Sequence, residues 1–186
     1  MVLQTTRLFL RPISHRDIDA LLRLLNEPLI AQYNDYGQTV SRDEAKSLIQ
    51  WDLEQAYQGT GTRFVIINKI SNEFIGTLGV YDHDIIKKHC FLGFELAPSE
   101  WGKGIMREAL ECLFNYLLEN IAQNGLPLLV RAQVESLNKN CIKLLTRLMF
   151  TQSNVNEYIL LLEASGEADP NAMYEQVADT LLLDQM

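Results

Sequence analysis

Apolar and polar positions alternate along residues 7–12 (RLFLRP), which predicts a short strand ending at Pro12. Ser14 then offers a helix cap, and Ile18, Leu21, Leu22 and Leu25 fall on one face, so residues 15–26 are expected to be helical. Residues 28–40 (PLIAQYNDYGQTV) show no sustained period and read as a loop. Ser41 with Glu44 three positions on is a capping box, opening a helix to about residue 57. The period then changes to two. RFVIINK at 63–69 and FIGTLGVYD at 74–82 are strands, and SNE at 71–73 joins them as a hairpin. CFLGFELA at 90–97 is a third strand. A helix over 103–121 follows, its Leu110, Leu113, Leu117 and Ile121 forming a stripe for the core. Next come an apolar strand, LPLLVRAQV at 126–134, a helix from 138 to about 149, and a strand, VNEYILLLE at 155–163. A short helix or loop at 170–176 and a last strand near 179–184 complete the expectation.

Strand, tight loop, helix, strand is the βαβ order. Its right-handed crossover makes strands 90–97 and 126–134 parallel. The fold class is therefore α/β, with a central twisted mixed sheet flanked by helices. No repeat, low-complexity tract or linker divides the chain, so residues 1–186 are expected to form one domain.

Charge changes this picture at one end only. The net charge is −8, but residues 1–150 are nearly balanced, while residues 151–186 hold seven acids and no Lys or Arg. Without a basic stripe, general nucleic-acid binding is not expected. The acidic segment reads as solvated surface, or as a wall that attracts amines. No apolar run approaches a membrane span, and MVLQTTRLFLRP lacks a secretory core, so a cytoplasmic protein with no membrane partner is expected. Cys90, Cys112 and Cys141 are widely spaced and suit free thiols, not a disulfide frame or a metal site. His15, His83 and His89 form no metal spacing and are expected to be solvated.

The candidate chemistry lies in APSEWGKGIMREALECL, residues 97–113, where a strand gives way to a helix. Ligands of α/β sheets bind beyond the carboxyl ends of parallel strands. The first helical turn there has N–H groups without intrahelical partners, at the positive end of the dipole. Gly102 and Gly104 let the backbone close tightly around an anion, and Lys103 and Arg107 add charge beside it. Neither GxxxxGK[ST] nor GxGxxG is present. Local chemistry leaves two readings open, a diphosphate cradle or a glycine-permitted turn.

Four segments in order, TTRLFLRPISHRDIDALLRLL, FVIINKISNEFIGTLGVYD, LGFELAPSEWGKGIMREAL and NKNCIKLLTRLMF, resemble the GNAT acetyltransferase superfamily. The resemblance is to its ribosomal-protein-alanine acetyltransferase (RimJ/RimL-like) branch. It is clearest over residues 5–150 and fades in the acidic segment. It implies a GNAT-like fold with an acyl-CoA-binding βαβ crossover, acetyl-CoA as cosubstrate with no metal, and an amine acceptor. A homodimer is allowed by it and not required.

In that family the loop pattern Arg/Gln-x-x-Gly-x-Gly/Ala holds the coenzyme A diphosphate through its amides. On this chain it maps to Trp101, Gly102, Lys103, Gly104, Ile105 and Met106. Met106 replaces the small last residue, which crowds the phosphates if its side chain points toward them. The resemblance also implies an oxyanion donor in the main-chain N–H near Leu96, on a strand splayed from its parallel neighbour, and a pantetheine contact at Asn138, which should also cap its helix. The superfamily's Asn-x-x-Ala-x-x-x-Tyr falls on Asn138, Cys141 and Leu145, so the tyrosine acid is missing. Cys141 stands where the branch usually has serine, and either protonates the departing thiolate or only packs. Met149-Phe150 replaces Gly-Phe, which suggests a different chain exit from the helix. Tyr33, Tyr36 and the acidic tail are candidates for shaping acceptor choice.

Glu95 is the leading base candidate, a carboxylate on a half-buried strand near the thioester position; the alternative is a structural ion pair. An α-amine with a pKa near 8 is about one-tenth neutral at pH 7, a lysine amine only about one part in 2,500. The latter needs roughly 3 kcal/mol more help. These features lead to an acetyl-CoA-dependent N-acetyltransferase acting on a primary amine, foremost a protein or peptide N-terminus, in a ternary complex. A polyamine-like acceptor, a catalytically silent acyl-CoA-binding module and a nucleotide-binding regulator remain alternatives.

Overall fold

The computed structural model describes residues 1–33, 39–120 and 127–163. Tyr36, Ile121 and the elements expected at 170–176 and 179–184 lie outside the described residues, as does the acidic stretch after Glu163.

The described strands are β1 (Leu3–Gln4), β2 (Leu8–Pro12), β3 (Thr62–Asn68), β4 (Phe74–Asp84), β5 (His89–Leu96), β6 (Leu128–Gln133), β7 (Thr151–Asn154) and β8 (Glu157–Leu162). They form one sheet in the order β1-β2-β3-β4-β5-β6-β8-β7. Only the β5–β6 pair is parallel. Among the described residues five α-helices accompany them: α1 (Ile18–Leu25), α2 (Pro28–Ala31), α3 (Arg42–Gln58), α4 (Ile105–Asn120) and α5 (Lys139–Arg147).

Strand alternation sorts side chains to two faces, and helices cover both. On β3, Phe64 and Ile66 join Leu110, Leu113 and Leu117 of α4 in the larger core cluster. Val65, between them, packs with Ile18, Leu21 and Leu25 of α1 and with Ala45 and Ile49 of α3. The α3 start follows the expected capping box: Ser41 Oγ accepts from Glu44 N–H, and Glu44 Oε2 accepts from Ser41 N–H at 2.7 Å. Among the described residues no helix is long and apolar enough to cross a membrane.

Several expectations need correction. The first helix opens as a 3-10 turn, His15–Asp17, because Asp17 accepts from both the N–H and the hydroxyl of Ser14. The loop at 28–40 contains α2, which starts on a proline whose missing N–H costs nothing at that position. Strands β1 and β7 were not legible, since neither Leu3-Gln4 nor Thr-Gln-Ser-Asn presents an apolar face. His89 is buried, its ring edge-on to Phe91, and not solvated. The exit from α5 is not rerouted by the absent glycine. Met149 itself adopts φ +68, and the N–H groups of Met149 and Phe150 bond Thr146 O and Leu145 O in a Schellman cap.

Candidate active site

The parallel pair opens toward its carboxyl end. Registered pairing covers only His89, Cys90 and Phe91 against Leu129, Val130 and Arg131. Strand β5 continues to Leu96, still paired with β4 as far as Gly76–Leu96. It therefore stays with β4 and leaves β6. Ala97 N–H donates to Ile75 O at 2.8 Å, on the β4 side. Backbone groups alternate sides along a strand, so the N–H and C=O of Leu96 face the opposite way, into the opening.

The loop that follows is built to hold this edge. After a 3-10 turn at Pro98–Glu100, the Trp101 indole N–H donates to Leu96 O at 2.7 Å. Gly102 and Gly104 each have φ +74, a left-handed conformation that disfavours any Cβ. The first α4 bond runs from Glu108 N–H to Gly104 O, so the N–H groups of Ile105, Met106 and Arg107 belong to the unpaired first turn. Met106 and Ile105 are buried in the core, so the Met106 side chain is turned inward, away from the loop surface. Lys103 and Arg107 are not spare positive charges: Lys103 pairs with Glu100 at 3.1 Å and Arg107 with Glu111 at 2.8 Å, both exposed.

Because β5 and β6 are parallel, α5, which follows β6, begins at the same end of the sheet as α4. Asn138 caps it, its Oδ1 accepting from Cys141 N–H at 3.1 Å. Cys141 packs against the larger core, and burial pushes its thiol up to about 12. Leu145, where the resembling superfamily has a tyrosine, is fully buried and lacks polar chemistry.

Glu95 points to the other face of β5, with Phe91. Its carboxylate accepts from the Thr77 hydroxyl and lies 3.4 Å from Arg63 Nη1. Arg63 also meets Asp52 of α3 at 3.4 Å. All three charged side chains are at most 16% exposed. Burial raises Asp52 above the ordinary carboxylate range, and Arg63 opposes that rise only in part. Beside this cluster runs an aromatic row: Trp51 edge-on to Tyr81, Tyr81 stacked on Phe91, and the Arg131 guanidinium 5.3 Å from the Phe91 ring centre. Arg131 is itself bound to Glu157 at 2.8 Å.

The structure thus brings Leu96, the 101–106 loop and the Asn138–Cys141 turn to one end of the sheet, with Glu95 on the opposite face of the same strand. Tyr33 is half-buried just after α2, its hydroxyl accepting from Gln32. Asp52, Arg63 and Thr77 were missed from sequence, although Arg63 is a cation beside the apolar run FVII, and Asp52 follows buried Ile49 at helical spacing. Arg7 was also missed as a neighbour of the loop. Among the described residues no cluster of three or more His, Cys, Asp or Glu could hold a metal ion.

A family model described as an acetyltransferase (GNAT) domain matches residues 7–151. The chain is 31% identical over 153 residues to p20 of Bacillus licheniformis, an uncharacterized N-acetyltransferase, covering 82% of this chain and 84% of that one. Among solved structures it resembles the acetyltransferase of Salmonella typhimurium that modifies the N-terminal serine of 50S ribosomal subunit protein L7/L12. That match has TM-score 0.74 and 20% identity, over 88% of this chain and all of the other. It also resembles spermidine N-acetyltransferase from Vibrio cholerae, solved with CoA and spermine, at TM-score 0.72 and 18% identity, over 85% and 97% of the two chains.

Proposed function

The chain belongs to the GNAT acetyltransferase family, and from that premise we propose that it acetylates the α-amine of a protein or peptide N-terminus. It is an acetyl-CoA-dependent N-acetyltransferase; the acceptor is the part proposed. The observation that supports this acceptor is the pairing of acids on the Glu95 face. Asp52 and Glu95 share Arg63, and Glu157 is bound by Arg131. Those three carboxylates are already engaged by arginines, which leaves them less able to hold a linear polycation. The row Trp51, Tyr81 and Phe91 offers an uncharged platform suited to a peptide backbone.

The reaction proceeds by direct attack in a ternary complex. The main-chain N–H groups of residues 102–107 hold the diphosphate of acetyl-CoA, at the positive end of α4. Asn138 binds the pantetheine arm at the start of α5. The amine nitrogen forms a C–N bond with the thioester carbonyl carbon, and the Leu96 N–H stabilises the oxyanion that develops. Glu95, directly or through a water, takes the amine proton. The C–S bond then breaks, and the thiolate leaves. Cys141 stays protonated at neutral pH because burial holds its thiol near 12. It therefore donates a hydrogen bond to the leaving sulfur, while full proton transfer or nucleophilic attack runs uphill from so weak an acid.

A polyamine acceptor is the second reading, favoured by the seven acids and absent bases of residues 151–186. Release of free CoA thiol from acetyl-CoA, measured with peptides bearing free or blocked N-termini and with spermidine, separates the two. Turnover of free-amine peptides is expected. Turnover of spermidine alone establishes the second reading, and CoA binding with no turnover of any amine leaves only an acyl-CoA-binding module.

A further inference from the structure

The segment linking β1 to β2 is bonded to the glycine loop from behind. Thr5 Oγ1 and Arg7 N–H both donate to Glu108 Oε1 on the first turn of α4. Arg7 Nε donates to Glu108 Oε2 at 2.6 Å, and Arg7 Nη1 donates to Lys103 O at 2.9 Å. A Cβ placed on Gly104 would lie 3.7 Å from Arg7 Nη2. Burial works against ionisation of Glu108, but its bonds from Thr5 and Arg7 outweigh it and hold the carboxyl below its ordinary range. The guanidinium is thus fixed by a carboxylate charged at neutral pH.

This contact sets the direction of one amide. A trans peptide is planar, with its C=O and N–H pointing opposite ways, and the described backbone contains no cis bond. The bond that draws Lys103 C=O toward Arg7 therefore turns the Gly104 N–H to the far side of the loop. Gly104 tolerates the φ of +74 that accompanies this orientation.

We propose that Arg7 is a positioning residue for the acyl donor: it grips Lys103 O so that the Gly104 N–H is aimed at the donor's diphosphate, which Arg7 itself does not touch. The inference rests on the reading of residues 102–107 as the diphosphate site. It assigns a function to an arginine that precedes the loop by almost a hundred residues. The two-pronged contact needs a planar fork: Nε serves the carboxylate while Nη1 serves the carbonyl, and a lysine ammonium cannot span both in that geometry.

The test compares acetyl-CoA with acetyl-pantetheine, a donor that has the same thioester and no diphosphate. For Arg7→Met, kcat/KM with acetyl-CoA is expected to fall about tenfold or more, the scale of one hydrogen bond to a charged group. With acetyl-pantetheine, and in the KM for the amine, the variant stays within about twofold of wild type, and Arg7→Lys does not rescue. Glu108→Gln, which frees the guanidinium while keeping the side chain's shape, gives the same split if Arg7→Met fails to fold. Equal losses with both donors mark Arg7 as merely structural and overturn the proposal, as does wild-type behaviour with both. If the wild-type enzyme already uses the two donors equally well, the diphosphate reading falls, and the role of Arg7 falls with it.

Discussion

The Arg63 guanidinium lies 3.4 Å from the Glu95 carboxylate, so the proposed base is held by a cation in the half-buried interior of the sheet. A base acting from this position is fixed in direction. Glu95→Gln keeps the shape and the Thr77 contact and removes the proton acceptor. We expect kcat to drop about 10²-fold with the KM for acetyl-CoA unchanged. The deficit is largest at low pH, where fewer acceptor amines are already neutral. Steady-state rates across pH check this, and wild-type rates in the variant remove Glu95 from the chemistry.

Three glycines share one backbone conformation and supply their own control. Gly59 closes α3 at φ +73, while Gly102 and Gly104 sit at +74 in the loop. Alanine meets no atom within 4 Å at 59 or 102, and only ordinary contact with Arg7 at 104. Each substitution therefore costs backbone strain alone, about 1 kcal/mol and about 3 °C in Tm. Affinity for coenzyme A should fall at least tenfold only for Gly102→Ala and Gly104→Ala, because there the strain falls on the turn proposed to aim the amides at the diphosphate. Calorimetric titration of the three variants decides it. An equal loss at Gly59 removes the loop's special role.

Asp52 gives the stability a definite sign of pH dependence. Burial, opposed by Arg63, leaves its carboxyl above the ordinary aspartate range. The folded state then holds this proton more tightly than the unfolded chain. Its contribution is present below the unfolded value, near pH 4, and is lost as pH rises through the folded value. Asp52→Asn should flatten the stability profile in that window. Urea unfolding at a series of pH values measures it, and an unchanged slope contradicts the assignment.

What was legible in the sequence follows from how local each signal is. The capping box at Ser41 and Glu44 and the cap at Asn138 involve neighbours three apart, and both formed as read. The period-two runs located β3, β4 and β5, and the crossover rule gave the parallel pair. The Asp52–Arg63–Glu95 cluster was illegible because its members, 11 and 32 residues apart, meet only when α3, β3 and β5 stack. Glu95 was picked out as a carboxylate on a strand, but its cation lies two strands away. At Met149 the expectation failed for a different reason. A left-handed residue costs a side chain about 1 kcal/mol, and two bonds of the cap offset that strain, so the chain keeps the turn without glycine.

The bond from Trp101 to Leu96 O ties the loop to the strand edge that carries the proposed oxyanion donor. Trp101→Phe retains most of the apolar contact and removes the N–H. Stability should fall by about 1 kcal/mol. Because the bonded carbonyl and the Leu96 N–H face the same opening, loosening it should also lower kcat, beyond any change in KM for acetyl-CoA. A variant with lower Tm and unchanged kcat limits Trp101 to packing.

With Cys141 placed beside the leaving thiolate as proposed, two roles of its thiol separate. Burial pushes it up to about 12, against about 8.5 for an unperturbed thiol. Giving its proton to a leaving thiolate of ordinary acidity is therefore uphill by roughly 5 kcal/mol. A hydrogen bond from the thiol has no such cost. Cys141→Ser preserves a donor and should keep kcat within about threefold, while Cys141→Ala should lose no more than about tenfold, the worth of one bond. The same burial keeps the thiolate scarce at pH 8, so iodoacetamide should label Cys141 far more slowly than a free thiol, as read by mass spectrometry. Rapid labelling at pH 8 removes the premise of a raised thiol pKa. A hundredfold loss in a folded Cys141→Ala variant makes the cysteine a full acid instead.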